Sequence, residues 1–182
     1  NQTAMNNHLL DIRNELRRLS NKEIAEHSQR FFKTGKGQYG EGDIFLGIRV
    51  PALRKTAKKY HGLSIDECAQ LLKSKFHEQR LLALLMLVGI FKKANSKDRK
   101  TIYTLYLTNT RFINNWDLVD SSAEHIVGAY LREIDKKPIY RLAKSDILWE
   151  RRISIMSTFH FIKYNEFFDT LRISKILLHD KE

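Results

Sequence analysis

The chain has 182 residues, with 32 Lys+Arg against 21 Asp+Glu for a formal charge of +11, and 42% of its residues are hydrophobic. That length suits one domain with its own core, the hydrophobic content excludes global disorder, and no apolar run reaches the roughly 18 residues of a membrane span. A single cysteine, Cys68, and seven histidines without ligand spacing exclude disulfide and zinc chemistry, so no metal or other cofactor and a reducing, cytoplasmic setting are expected.

Apolar residues recur at intervals of three and four, and period-two alternation is nowhere sustained, so the pattern predicts an all-α chain. Leu9, Ile12, Leu16 and Leu19 line a first helix over Asn6 to Ser20, and a second runs from Lys22 to Lys33. Pro51 suits the first turn of a helix to Tyr60, and Ser64 with Glu67 forms a capping box for Ile65 to Ser74. Leu81, Leu84, Leu85 and Val88 mark Glu78 to Lys92, and Lys97 to Leu107 follows. Trp116 to Leu131, Pro138 to Ala143, Glu150 to Lys163 and Glu166 to Leu178 complete the predicted elements, the third of these through Ile153, Met156, Phe159 and Ile162.

Only Thr34 to Val50 does not read as helix, and it holds five of the eight glycines. It is a long connector, or a loop whose backbone amides, with Lys33, Lys36 and Arg49, hold a polynucleotide phosphate; the Walker spacing for a nucleotide loop is absent. After it, Arg54, Lys55, Lys58 and Lys59 occupy two adjacent rows of one short helix, which is either a solvated face or an anion-binding stripe. Further basic clusters lie at residues 92–100, at residues 136–144, and at Arg151 and Arg152, about one per predicted helix pair. Such a recurrence can line one wall with positive charge, and an anionic polymer is the simplest partner for it.

Three strings begin with an aromatic residue followed by an acid: His77-Glu78, Trp116-Asp117 and Trp149-Glu150. Their separations bracket the period of two-helix solenoid repeats, although an acid in the first turn is also what any helix dipole favours. Stacked pairs of this kind predict a right-handed α-α superhelix with a concave wall. Asn114-Asn115-Trp116-Asp117-Leu118-Val119-Asp120 is the most unusual string. Trp116 and Asp120 share a helix face, and an indole beside a carboxylate can receive a flat cation. The competing reading has Trp116 in the core and Asp120 in an ion pair with the next repeat.

Phe45-Leu46-Gly47-Ile48-Arg49-Val50-Pro51-Ala52-Leu53-Arg54, the Asn114 to Asp120 string, and Trp149-Glu150-Arg151-Arg152-Ile153-Ser154-Ile155 together resemble, in order and spacing, the AlkD-like DNA alkylation repair family. The resemblance covers nearly the whole chain and implies a single HEAT-like repeat DNA glycosylase domain, residues 1–182, whose further C-terminal helices with a second active-site tryptophan are expected after Glu182. It implies that Trp116 is the first active-site tryptophan, Asp120 the catalytic aspartate and Arg152 the arginine near the lesion backbone. DNA contacts are expected from Arg152, Arg151, Trp149, Arg49, Arg54, Lys58 and Lys36, with no metal and no cofactor. The implied partner is double-stranded DNA carrying alkylated bases, bound by a monomer without a membrane, in a nucleoid-associated cytoplasmic setting. The implied reaction is release of cationic N3- or N7-alkylpurines, with a carboxylate stabilising the sugar cation. Two alternatives are a non-catalytic DNA-binding relative and a HEAT-like protein-interaction scaffold.

Overall fold

The computed structural model of the chain describes the backbone of residues 2–182 and the side chains of residues 8–182. Every regular element among the described residues is a helix and none is a strand; the nearest approach to one is an isolated parallel bridge between Ile44 and Phe76. The chain gathers into two compact units, residues 1–90 and 91–182.

In the first unit, α1 (Gln2–Leu19), α2 (Lys22–Phe31), α3 (Val50–Lys59), α4 (Ile65–Leu72) and the start of α5 (His77–Lys93) follow the predicted order. Leu9, Ile12 and Leu16 of α1 are buried with Leu53, Cys68, Leu71 and Leu72, while Leu19 at the helix end is exposed. Burial pushes the Cys68 thiol up to about 12, so it behaves as a small core residue. The predicted capping box is present, with Ser64 accepting from the Glu67 amide at 3.2 Å and Glu67 accepting from the Ser64 amide at 2.8 Å.

The glycine-rich connector is held in place by buried acid. Glu78, 3% exposed in the first turn of α5, accepts the amides of Leu46, Gly47 and Ile48 at 2.8, 2.7 and 3.2 Å. Gly47 is required there on two counts: its φ is +79°, and a Cβ would sit 1.9 Å from the Asn21 carbonyl oxygen. The amides of Gly35 and Gly37 are taken by Gln38 and Glu41. These five amides are therefore satisfied within the protein, and the expectation that this loop presents amides to a phosphate is corrected for them: carboxylate and amide oxygens already occupy the positions a phosphate oxygen would take.

In the second unit, α6 (Ser96–Thr108) leads through a 3₁₀ turn at Thr110–Phe112 to α7 (Trp116–Asp120), a π-turn at Glu124–Gly128 and α8 (Ala129–Arg132). α9 (Lys137–Leu142), α10 (Leu148–Ser157), α11 (Phe159–Ile162) and α12 (Phe168–Leu177) complete it. α10 packs against α7, α9 and the π-turn, and so occupies the centre of the unit. Two predicted long helices are each divided here. The division after Asp120 falls at Ser121 and Ser122, where the Ser122 hydroxyl donates back to the Leu118 carbonyl at 2.5 Å and meets the buried Tyr106 hydroxyl at 2.9 Å. The division after α10 falls at Ser157 and Thr158, whose hydroxyls donate to the Ile153 and Ile155 carbonyls at 2.6 and 2.7 Å. Hydroxyls that return to the preceding turn compete with the amide ladder and bend or end helices. At Gly128 the backbone of the π-turn approaches α10 so closely that a Cβ would lie 2.1 Å from the Ser157 carbonyl oxygen.

Candidate functional site

α7 is a single short turn, and its register is set before it begins. Asn115 is fully buried, and its side-chain oxygen accepts the Trp116 amide at 2.9 Å. Leu118 and Val119 on the inner side are wholly buried, which leaves Trp116, Asp117 and Asp120 half-buried at the margin. Asp117 turns inward on its own helix, accepting the Leu118 amide at 2.9 Å, as a first-turn acid does.

Asp120 faces α10. Arg152 donates through Nε to one carboxylate oxygen at 2.8 Å and through a terminal nitrogen to the other at 2.7 Å, a fork-to-fork pair. The two side chains remain 38% and 30% exposed for Arg152 and Asp120, so solvent and a docking anion can reach the pair. The hydrogen bond to Asp120 is the main cause that raises the Arg152 guanidinium above its ordinary range, against a smaller opposing effect of burial. Trp116, Asp120 and Arg152 thus gather on two packed helices of one unit, α7 and α10.

The neighbours of Arg152 on α10 have partners of their own. Trp149, in the first turn of α10, is 9% exposed and packs into the core. Arg151 donates to both oxygens of Asp180, at 2.5 and 3.1 Å, and to the carbonyls of Ser145 and Asp146 at 3.1 Å each. It clamps the C-terminal residues to the start of α10. Glu150 accepts from the hydroxyls of Thr110 and Ser145 at 2.7 and 2.6 Å. Of the three aromatic-plus-acid strings, the acids at 78 and 150 therefore tie connecting segments to helix starts, whereas the string at 116 leads, one turn later, to an acid that meets a guanidinium.

In the first unit Lys36, Arg49, Arg54 and Lys58 are all exposed, as a DNA-contacting set must be. Lys59 instead pairs with Glu15. Lys100, Lys137, Arg141 and Lys144 line a groove whose walls include none of Trp116, Asp120 or Arg152. Sequence reasoning also missed Asn115 and the Tyr106–Ser122 pair. A buried Asn before a helix and a Ser-Ser pair inside an apolar pattern are their only signals.

A family model described as DNA alkylation repair enzyme matches residues 12–182. The chain belongs to this family. Membership carries a general role in the repair of alkylated DNA, with DNA as what the family acts on, and the match takes in Trp116, Asp120 and Arg152 together. No curated protein matches the chain. As a member of the DNA alkylation repair family, the chain has no described helix long and apolar enough to cross a membrane, and no described group of three or more His, Cys, Asp or Glu side chains is arranged to hold a metal ion.

Proposed function

We propose that this protein is a DNA N-glycosylase that releases cationic N3- or N7-alkylpurines from duplex DNA, with residues 1–182 acting as one glycosylase domain and as a monomer. Asp120 is the carboxylate that stabilises the sugar cation, Trp116 packs against the sugar, and Arg152 engages the backbone phosphate beside the lesion. The observation that carries this reading is the half-exposed Asp120–Arg152 fork on α7 and α10, one turn along from Trp116.

The chemistry asks little of such a site. A cationic alkylpurine is already a good leaving group, so no general acid is needed, and the barrier lies in the positive charge that grows on the deoxyribose as the C1′–N bond breaks. A carboxylate stabilises that charge and orients the water that adds at C1′, accepting its proton as the product sugar forms. In the free protein the Arg152 charge is 2.7 Å from Asp120 and cancels most of its field. A DNA phosphate is a competing bidentate partner for the same guanidinium. When Arg152 moves to the phosphate, the Asp120 carboxylate is uncovered beside the sugar, so binding and activation of the acid are one event. Arg49, Arg54, Lys58 and Lys36 supply sequence-independent phosphate contacts.

The same fork supports a second reading. An aspartate held permanently by an arginine is an uncharged surface, and a relative that keeps this pair closed on DNA binds without excising. Release of N7-methylguanine from methylated duplex DNA separates the two: measurable release under single-turnover conditions, abolished in Asp120→Asn, supports the glycosylase, and binding without release establishes the non-catalytic reading.

A further inference from the structure

A groove of about 710 Å³ lies in the second unit among α6, α8 and α9, apart from Trp116, Asp120 and Arg152. Its walls combine two features that ordinary crevices lack together. Tyr103 of α6 and Tyr130 of α8, both half-buried, stack with ring centroids 4.3 Å apart and planes 22° from parallel, and both rings line the groove. Around them stand Lys100, Lys137, Arg141 and Lys144, against a single carboxylate, Asp135. Asp135 pairs with Lys137 at 3.3 Å, while no ion pair forms at Lys100, Arg141 or Lys144 among the described residues. Lys100 and Tyr103 are three apart on α6, so a cation and a ring face the cavity on one helix side, while Arg141 near the end of α9 and Lys144 in the turn after it supply cations from the other wall.

Four cations share this concave surface with one carboxylate, and Asp135 is already paired with Lys137, so the excess positive charge favours an anion as ligand. Rings that are only half covered offer stacking area to a flat molecule, and every nucleobase has a π-face that aromatic side chains accept. The volume falls within the usual range for small-ligand sites. Burial raises the Tyr103 hydroxyl above its usual range, which keeps the ring neutral beside the cations.

We infer that this groove is a nucleotide-binding site, with a base against the Tyr103–Tyr130 wall and its phosphate among Lys100, Arg141 and Lys144. The base and phosphate belong either to a free nucleoside diphosphate or to an unpaired stretch of a nucleic-acid strand, and the chemistry of recognition is the same for both. The site is independent of excision at Asp120, since none of its residues is shared.

Calorimetric titration of the full chain at low salt tests this with three probes: ADP, inorganic pyrophosphate and single-stranded tetradeoxyadenylate. ADP or the tetranucleotide is expected to bind, pyrophosphate far more weakly, and Arg141→Ala and Lys144→Ala, both at exposed positions, to weaken binding about tenfold each. Tyr103→Leu is expected to weaken binding by about tenfold through lost stacking, with a thermal melt checking that the variant folds. Arg152→Ala leaves binding unchanged. Tighter binding of ADP than of the tetranucleotide identifies a free nucleotide as the occupant, and the reverse order identifies a strand. Three results overturn the inference: no binding of either ligand, pyrophosphate binding as tightly as ADP, or binding that survives Arg141→Ala and Lys144→Ala unchanged.

Discussion

Replacing Asp120 by Asn should move excision and DNA binding in opposite directions. A carboxylate about 4 Å from the sugar cation contributes roughly 4 kcal/mol at an effective dielectric near 20, or about a thousandfold in rate. Asn keeps the shape and one acceptor oxygen and loses the charge, so a fall of about a hundred- to a thousandfold is expected. The binding effect follows from the fork. The wild-type protein must part Arg152 from Asp120 before the guanidinium can take a phosphate, and a pair whose side chains are 38% and 30% exposed is worth only about 1 kcal/mol after solvent screening. The neutral amide of the variant holds Arg152 more weakly, so affinity for unmodified duplex should rise by up to about fivefold. Single-turnover release of N7-methylguanine at saturating protein reads the first effect, and fluorescence anisotropy with undamaged duplex reads the second. An unchanged release rate removes Asp120 from the mechanism. Reduced affinity in the variant refutes the competition between Asp120 and phosphate for Arg152, even if excision is lost.

Affinity for duplex DNA should fall steeply with salt, and Lys58→Ala should weaken binding to every sequence alike and lower the slope of log K against log salt by about 1, because one phosphate contact and its released counterion are lost. A wild-type affinity indifferent to salt contradicts the phosphate-contact set. Glu78→Gln should cost about 2–4 kcal/mol and lower the melting temperature by roughly 5–10 °C, since the amide group that replaces one carboxylate oxygen is a donor set against buried amide donors. A circular dichroism melt superimposable on the wild type refutes that anchoring role. The Asp180 carboxyl is held below its usual range chiefly by the hydrogen bond from Arg151. A depressed folded-state pKa stabilises the folded state fully above the unfolded value of about 3.9 and is lost as pH falls through the folded value. Hydrogen exchange at the C-terminal end of α12 should therefore be flat from pH 7 to about 5 after correction for intrinsic rates, and faster below about 3, with Asp180→Asn reproducing the acid behaviour at neutral pH.

Local signals carried the secondary structure and most of the motif. Leu9, Ile12 and Leu16 are buried as their spacing requires, the Ser64–Glu67 box is made, and the strings at 77, 116 and 149 begin helices, because helical period and capping depend on residues within a turn of one another. Trp116, Asp117 and Asp120 could be ordered by the same reasoning, with Asp117 as a first-turn acid and Asp120 one turn on. What those residues touch was beyond local reasoning. Arg151 and Arg152 are adjacent and chemically identical, yet one clamps Asp180 and the other grips Asp120, since neighbouring positions on a helix point about 100° apart and partners 29 and 32 residues away decide the outcome. Trp149 went to the core and Lys100, Arg141 and Lys144 to a groove of their own for the same reason: a charge or ring acquires its role from the helix packed opposite it. The breaks after Asp120 and Ser157 came from hydroxyls that could have pointed to solvent and instead bond back to the preceding turn. Which of those two options a serine takes is settled by the packing around it, and around Ser122 that packing includes the fully buried Tyr106.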